Sequence, residues 1–275
     1  MNKRLLSCLS AVIIICVSAS AQSFKYEIDL SGLGDPSTTS KPFGASYNAA
    51  NGLLYVAIAG SFAANNNVVA VIDPATDLVV ATIAVGLFPE DIAFDSTTGE
   101  GAVTNSTSGS ITFFDSSNSV LSTLQLPDPF GIGSCYPFGI TYHDGHYFVG
   151  TVDGSGEVYA IDATTRTLAP SYGFATNYKS IGRMTVKSSK LLVTTTEYNS
   201  TWSGATGGVY AHEMFGASTG RQINYVTQEN LGTYPSASDI TPAADGAFMT
   251  GLDFDGMLYI TDDNGAPTRA IDAHG

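Results

Sequence analysis

Apolar and polar positions alternate along this chain in runs of five to eight residues, and each run ends at Gly, Asn, Asp or Pro. A period of two puts successive side chains on opposite faces of an extended backbone, so the pattern predicts short, half-buried strands and few helices. The runs fall into sets of four. Residues 42–47, 53–59, 68–73 and 78–85 make the first set, with Asn51-Gly52 as a tight turn suited to positive φ. The next sets are 89–94, 101–105, 110–115 and 120–126, then 137–142, 147–152, 157–162 and 167–172. A fourth, less regular, runs through 182–186, 191–197, 208–213 and 222–227. Sets starting at 42, 89 and 137 repeat every 47 to 48 residues, a period typical of propeller blades or solenoid coils.

The C-terminus extends the repeat. Residues 250–260 align with the first two strands of set one, and 268–272 match a third strand, after which the chain stops. Residues 24–30 (FKYEIDL) precede set one as 78–85 precede set two, so they are expected to complete the last set. Such closure would remove the exposed edges that invite aggregation. The fold class is therefore all-β, a β-propeller of five four-stranded blades closed by the N-terminal strand. Six blades, or a fragment of a larger ring, are the alternatives. Residues 230–245 read as a long loop between blades.

Residues 68–95 (VVAVIDPATDLVVATIAVGLFPEDIAFD) resemble the YVTN family of β-propeller repeats. They hold a strand ending Ile72-Asp73, a turn with Thr76, the run Val-Val-Ala-Thr-Ile-x-Val-Gly from Val79 to Gly86, and Pro89 after two more residues. Val103-Thr104-Asn105 and Tyr55-Val56-Ala57 echo the family's tetrapeptide, and the likeness fades after residue 180. The resemblance implies a propeller of the quinoprotein-dehydrogenase-like superfamily with an extracellular or surface habit. It brings no catalytic residues, because the repeat motif is structural.

Composition adds a compartment. Lys3 and Arg4 precede an apolar run at 5–17 that is too short to span a bilayer, and Ala19-Ser20-Ala21 is a cleavage signal. Residues 1–21 are thus expected to be a signal peptide, and 22–275 a single secreted domain, extracellular or periplasmic. Cys8 and Cys16 leave with the leader, so Cys135 remains alone and is expected to be buried. The mature chain carries nine basic against 25 acidic residues, a formal charge near −16. That balance repels nucleic acid and anionic lipid, and no later apolar run is long enough for a membrane span. A monomer is expected.

Candidate chemistry gathers where the innermost strands begin, at the mouth of a central channel. Aligning the sets places Phe43, Glu90, Asp91, Phe138, Arg183 and Thr250 there. Phe43 and Phe138 could floor a sugar or planar ligand, or plug the channel. Glu90 and Asp91 are the candidate metal ligands, or else partners of Arg183 in one ion pair. No cofactor is predicted, and Ca²⁺ or another divalent ion is the candidate should one be used. Oxygen-rich turns at 153–157, 253–256 and 262–265 lack the full spacing of a calcium loop. Gly216-Ala217-Ser218-Thr219-Gly220 matches GxSxG in a hairpin rather than a strand-to-helix turn. His143 and His146 flank a turn without a third zinc ligand. Asn105 and Asn199 begin glycosylation sequons. Two functions are carried forward. One is a secreted propeller binding a protein or glycan partner, or a small polar ligand, without chemistry. The alternative is a metal-dependent propeller hydrolase or lyase, gluconolactonase-like, that uses the mouth carboxylates.

Overall fold

The computed structural model describes residues 28–30, 32–34, 41–61, 63–176, 180–187, 190–198, 205–215, 219–226, 237–241, 249–252, 257–261 and 267–272. The predicted leader, residues 24–27, Asn199 and the acidic turns at 253–256 and 262–265 lie outside them. The described residues form five antiparallel sheets, each built from consecutive strands. Sheet one holds β1 (Pro42–Asn48), β2 (Leu53–Ser61), β3 (Ala64–Asp73) and β4 (Leu78–Ala84). Sheet two holds β5 (Pro89–Phe94), β6 (Gly101–Asn105), β7 (Ser110–Phe114) and β8 (Val120–Gln125). Sheet three holds β9 (Pro137–His143), β10 (His146–Thr151), β11 (Glu157–Asp162), and the short β12 (Thr167–Leu168) and β13 (Phe174–Ala175). Sheet four holds β14 (Ile181–Lys187), β15 (Lys190–Tyr198), β16 (Ala205–Phe215) and β17 (Thr219–Val226). Sheet five holds β18 (Ala237–Thr241), β19 (Met249–Leu252), β20 (Met257–Thr261) and β21 (Pro267–Asp272).

The first strands, β1, β5, β9, β14 and β18, pack against one another in that order. Apolar side chains fill the spaces between sheets, following the period-two alternation. Tyr55, Val69 and Val71 of sheet one meet Ile92, Val103 and Phe114 of sheet two. The opposite face of sheet two sends Ala102, Ile111 and Phe113 against Ile140, Tyr147 and Val149 of sheet three. Phe148, Val158 and Ala160 then meet Ile181, Leu191 and Val193. Aromatic contacts tighten these layers, with Tyr55 stacked on Phe114 at 5.6 Å and Phe113 edge-on to Tyr147 at 5.7 Å. At the end of the sheets remote from the inner-strand starts, polar bonds tie neighbours. The Tyr55 hydroxyl donates to Asn118 Oδ1 at 2.6 Å, and Arg166 grips Glu100 with two bonds of 2.7 Å. Cys135 is buried as expected, and burial pushes its thiol up to about 12.

Four expectations need correction. Among the described residues, sheet five takes all four strands from residues 237–272 and none from the N-terminus. Ile28 to Leu30 carries no strand pairing; Ile28, Leu30 and Leu33 instead lie on the outer face of sheet one, over Val56, Ile58, Ala70 and Ile72. Residues 230–245 are not one loop, because β18 lies within them, and Thr250 belongs to the second strand of its sheet rather than the first. The fourth strand expected at 167–172 is broken into β12 and β13, with Pro170 between them, where a missing N–H cannot continue the ladder. No helix among the described residues is long and apolar enough to cross a membrane.

Candidate channel-mouth site

Each first strand opens with the same irregularity. Pro42 pairs with Ile58 and Ala45 with Val56, so three steps along β1 match two along β2. The same three-against-two shift recurs from Pro89 to Ile92, Pro137 to Ile140, Ile181 to Met184, and Ala237 to Ile240. A bulge adds one residue and re-aims the side chains around it, which is why such features gather at rims and sites. The repeated register makes Gly44, Asp91, Gly139, Arg183 and Asp239 equivalent, one step before Ala45, Ile92, Ile140, Met184 and Ile240. Thr250 drops out of this set and pairs with Ile240 from the neighbouring strand.

Two of the equivalent positions are glycines because the backbone of the next sheet lies against them. A Cβ on Gly44 would stand 2.1 Å from the Glu90 carbonyl oxygen, and one on Gly139 would stand 2.3 Å from that of Gly182. Asp91 and Arg183 fill the corresponding space with an ion pair. Arg183 Nη1 donates to Asp91 Oδ1 at 2.5 Å, with both side chains largely buried. The same oxygen accepts the Ile92 N–H at 3.0 Å, and Oδ2 accepts the Ile140 N–H at 3.1 Å. Arg183 Nη2 reaches the carbonyl oxygens of Phe43 at 3.5 Å and Glu90 at 3.4 Å. One carboxylate and one guanidinium therefore join β1, β5, β9 and β14. Thr104 extends the network, accepting the Asp91 N–H at 3.0 Å and donating to the Phe138 carbonyl at 2.7 Å.

The aromatic side chains sit above this pair. Phe43 is 47% exposed, lies edge-on to Phe138 at 5.7 Å, and has the Arg183 guanidinium 5.9 Å from its ring centroid. Phe88 supports it from below at 6.2 Å, buried and held at φ 59. A cavity of about 470 Å³ opens here, lined by residues of all five first strands, among them Phe43, Asp91, Ile140, Arg183 and Ile240. A second cavity of about 280 Å³ shares Ser46, Ile92 and Ile140 with it and reaches Tyr47, Phe94 and Tyr142 at the far end. The two are successive parts of one channel.

Glu90 differs from the other predicted residues. Its side chain is buried away from the cavity lining, and its Oε2 has no hydrogen-bond partner. Burial pushes the carboxyl up to about 8, and Asp91 adds to that, while the Ser106 hydroxyl and Arg183 partly offset it. Burial thus favours the neutral acid in this side chain, which lies one residue from the carboxylate that holds Arg183. Among the described residues no three His, Cys, Asp or Glu side chains converge into a group that could hold a metal ion. Asp153 Oδ1 is engaged by the Ser155 N–H and the Thr151 hydroxyl. His143 and His146 pair across their turn, with the His146 ring tilted against Tyr172 at 4.1 Å. Asn105 is fully buried, so its sequon is closed to a glycosylating enzyme once the chain has folded.

Phe43, Asp91, Phe138 and Arg183, four of the residues the sequence suggests for the mouth, lie together in the structure, whereas Thr104, the Ile140 N–H and the place of Asp239 were not read from the sequence. A signal for the last existed: Glu90-Asp91-Ile92 and Ser238-Asp239-Ile240 share Asp-Ile at the register position.

No family model matches the chain, and no curated protein matches it. Its similarities are to solved structures. The structure of U3-55K is 12% identical with a TM-score of 0.63, over 86% of this chain and 66% of that one. A chain of the nidogen/laminin complex is 15% identical with a TM-score of 0.61, over 86% and 81%. The dihydro-heme d1 dehydrogenase NirN, in complex with DHE, is 17% identical with a TM-score of 0.60, over 85% and 47%. This chain thus spans under two thirds of the first and under half of the last. These are propeller proteins, and at such identities the likeness is one of fold: the sheets described above are arranged as β-propeller blades.

Proposed function

We propose that this chain is a secreted, five-bladed propeller of YVTN type that works as a binding module through its channel mouth. The observation that supports this reading is the commitment of the mouth charges to one another. Asp91 already accepts from Arg183 and two backbone N–H groups, so a divalent ion there would have to displace a buried guanidinium. What remains open to solvent is a fixed cavity with an aromatic lip, a geometry suited to recognition. Apolar side chains at the same end of the sheets extend the surface: Leu87, Phe130 and Ile132 are all about half exposed. A glycan would stack on Phe43, and a protein partner would cover the apolar loops as well.

The test is to screen the mature protein (residues 22–275) against a glycan array and a panel of extracellular proteins, alongside calorimetric titration with Ca²⁺ and other divalent ions. The expected result is a ligand whose affinity falls at least tenfold in Phe43→Ala, and no ion binding that depends on Asp91. Tight one-site ion binding lost in Asp91→Asn, together with lactone hydrolysis, would replace this reading with the metal-dependent hydrolase.

A further inference from the structure

The channel has a second end, and its wall repeats from strand to strand. Counting on from the bulges, Ser46-Tyr47 of β1, Ala93-Phe94 of β5 and Thr141-Tyr142 of β9 occupy one register position. The next strand, β14, has Thr185-Val186 there, so the aromatic series ends at sheet three. The cavity of about 280 Å³ lies on the three strands that carry the series. Tyr47, Phe94 and Tyr142 line it, with the hydroxyl-bearing Ser46, Ser96 and Thr141 among them. None of its described lining residues is charged, whereas Asp91 and Arg183 line the mouth. Most of this wall is held in place from behind. Phe94 lies 4.8 Å from Tyr55, Tyr142 lies 5.2 Å from Tyr147, and the Tyr142 hydroxyl bonds to Asp95. Asn48 ties the end of β1 to sheet two, donating to the Gly99 carbonyl at 3.0 Å and accepting the Ala50 N–H at 3.0 Å. Tyr47 stands apart: it is exposed, and its hydroxyl lies 3.7 Å from where a Cβ on Gly52 would stand. The cavity thus has two fixed aromatic walls and one aromatic side chain at its opening.

We infer that this end of the channel is a second binding site, which takes a single uncharged pyranose ring. A charged ligand would shed hydration there without meeting a countercharge, which costs more than ring contacts return. A wholly apolar ligand would cover the hydroxyls of Ser46, Ser96 and Thr141 and leave them without partners. A pyranose matches both parts of the wall. Its C–H face lies on an aromatic ring, and its edge carries hydroxyls that donate and accept. The volume falls just below the lower bound for drug-sized ligands, about 300 Å³, so it suits one ring rather than a chain. The site stands independently of the mouth. The two cavities share Ser46, Ile92 and Ile140, but the aromatic and charged groups that mark the mouth, Phe43, Asp91 and Arg183, line the other one.

The experiment is saturation-transfer NMR on the mature protein (residues 22–275). The probes are the methyl glycosides of glucose, galactose, mannose and N-acetylglucosamine, with glucuronate and glucosamine as charged controls. At least one neutral glycoside should bind, its ring C–H protons most strongly saturated, and the charged controls should bind about tenfold more weakly or not at all. Tyr47→Ala should weaken that binding about tenfold and Thr141→Val about threefold, while Phe43→Ala leaves it unchanged. Thr141→Val keeps the shape of the wall, so it reads the site even if Tyr47→Ala does not fold. Three results would overturn the inference: no neutral glycoside binds, the charged controls bind as tightly as the neutral ones, or affinity follows Phe43 instead of Tyr47. The last would move the sugar to the mouth and support the reading given there. A mouth without a partner would leave the far site standing.

Discussion

Asp91 and Arg183 illustrate why a buried pair must be judged by what its loss leaves behind. Removing one partner strands the other charge in the channel wall, which costs about 3–5 kcal/mol, whereas the intact pair adds little over apolar filling. Asp91→Ala also orphans the Ile140 N–H, so it should lower the unfolding free energy by about 4 kcal/mol in urea titration, and Asp91→Asn by less. The Asp91→Ala, Arg183→Ala double variant should lose far less than the sum of the singles. Additive losses would mean that the two side chains do not depend on each other. Glu90 acts in the opposite direction. Its folded value, about 8, lies above the ordinary 4.5, so the folded state keeps a proton that the unfolded chain releases. Its contribution to stability therefore falls as pH rises from 4.5 to 8 and is level outside that window. Glu90→Gln should match wild type near pH 4 and exceed it at pH 9, by up to about 5 kcal/mol at 1.4 kcal/mol per pH unit. Denaturant melts at both pH values check this, and a variant less stable at pH 9 would refute it.

At the scale of strands and turns, close approach and backbone conformation decide what a position tolerates. Gly139→Ala would press a Cβ into the backbone of β14, which cannot swing aside as a side chain can. A loss of more than about 2 kcal/mol is expected, against about 1 kcal/mol for Gly131→Ala, which has open space and only a positive φ to overcome. The Arg166–Glu100 pair between sheets two and three should matter less. It is partly exposed, so it is worth about 0.5–1 kcal/mol, and Arg166 pays for it with a left-handed φ of 56. Arg166→Gly should thus be nearly neutral, because relief of about 1 kcal/mol offsets the lost pair, while Arg166→Ala loses the pair and keeps the strain. Thermal melts of the two variants give the comparison.

The strands of sheets one, two and four were legible in the sequence to within a few residues, because each carries dense alternation bounded by turn residues. β18 was not legible. Its segment, Ala-Ser-Asp-Ile-Thr, offers one large apolar side chain, so the periodic signal fell below that of the surrounding loop. The mouth was legible as a place but not as a network. Charge and alignment pointed to Asp91 and Arg183, yet the bulge that sets their register, and the backbone N–H groups that hold Asp91, leave no trace in residue type.

For the molecule as a whole, the first sheet is exposed where the sheets after it are covered, and Tyr47 marks the difference. The positions equivalent to Tyr47 in the next three sheets, Phe94, Tyr142 and Val186, are packed between neighbours, whereas Tyr47 is 57% exposed. The outer face of sheet one still carries a buried apolar layer, and Ile28, Leu30 and Leu33 cover it. The Asn66 side chain pins this strap by donating to the Leu33 carbonyl at 2.9 Å. The described N-terminal residues thus cover a face of sheet one rather than pair with a strand edge. The Leu30→Ser, Leu33→Ser double variant should lose about 1 kcal/mol per partly buried side chain and melt roughly 5 °C lower. It should also bind more of a dye that reports exposed apolar surface, since Val56, Ile58 and Ile72 would meet water. Asn66→Ala should act in the same direction by about 1 kcal/mol, because the Leu33 carbonyl loses its donor. A double variant with unchanged melting and dye binding would mean that the strap only rests on sheet one and adds nothing to its stability.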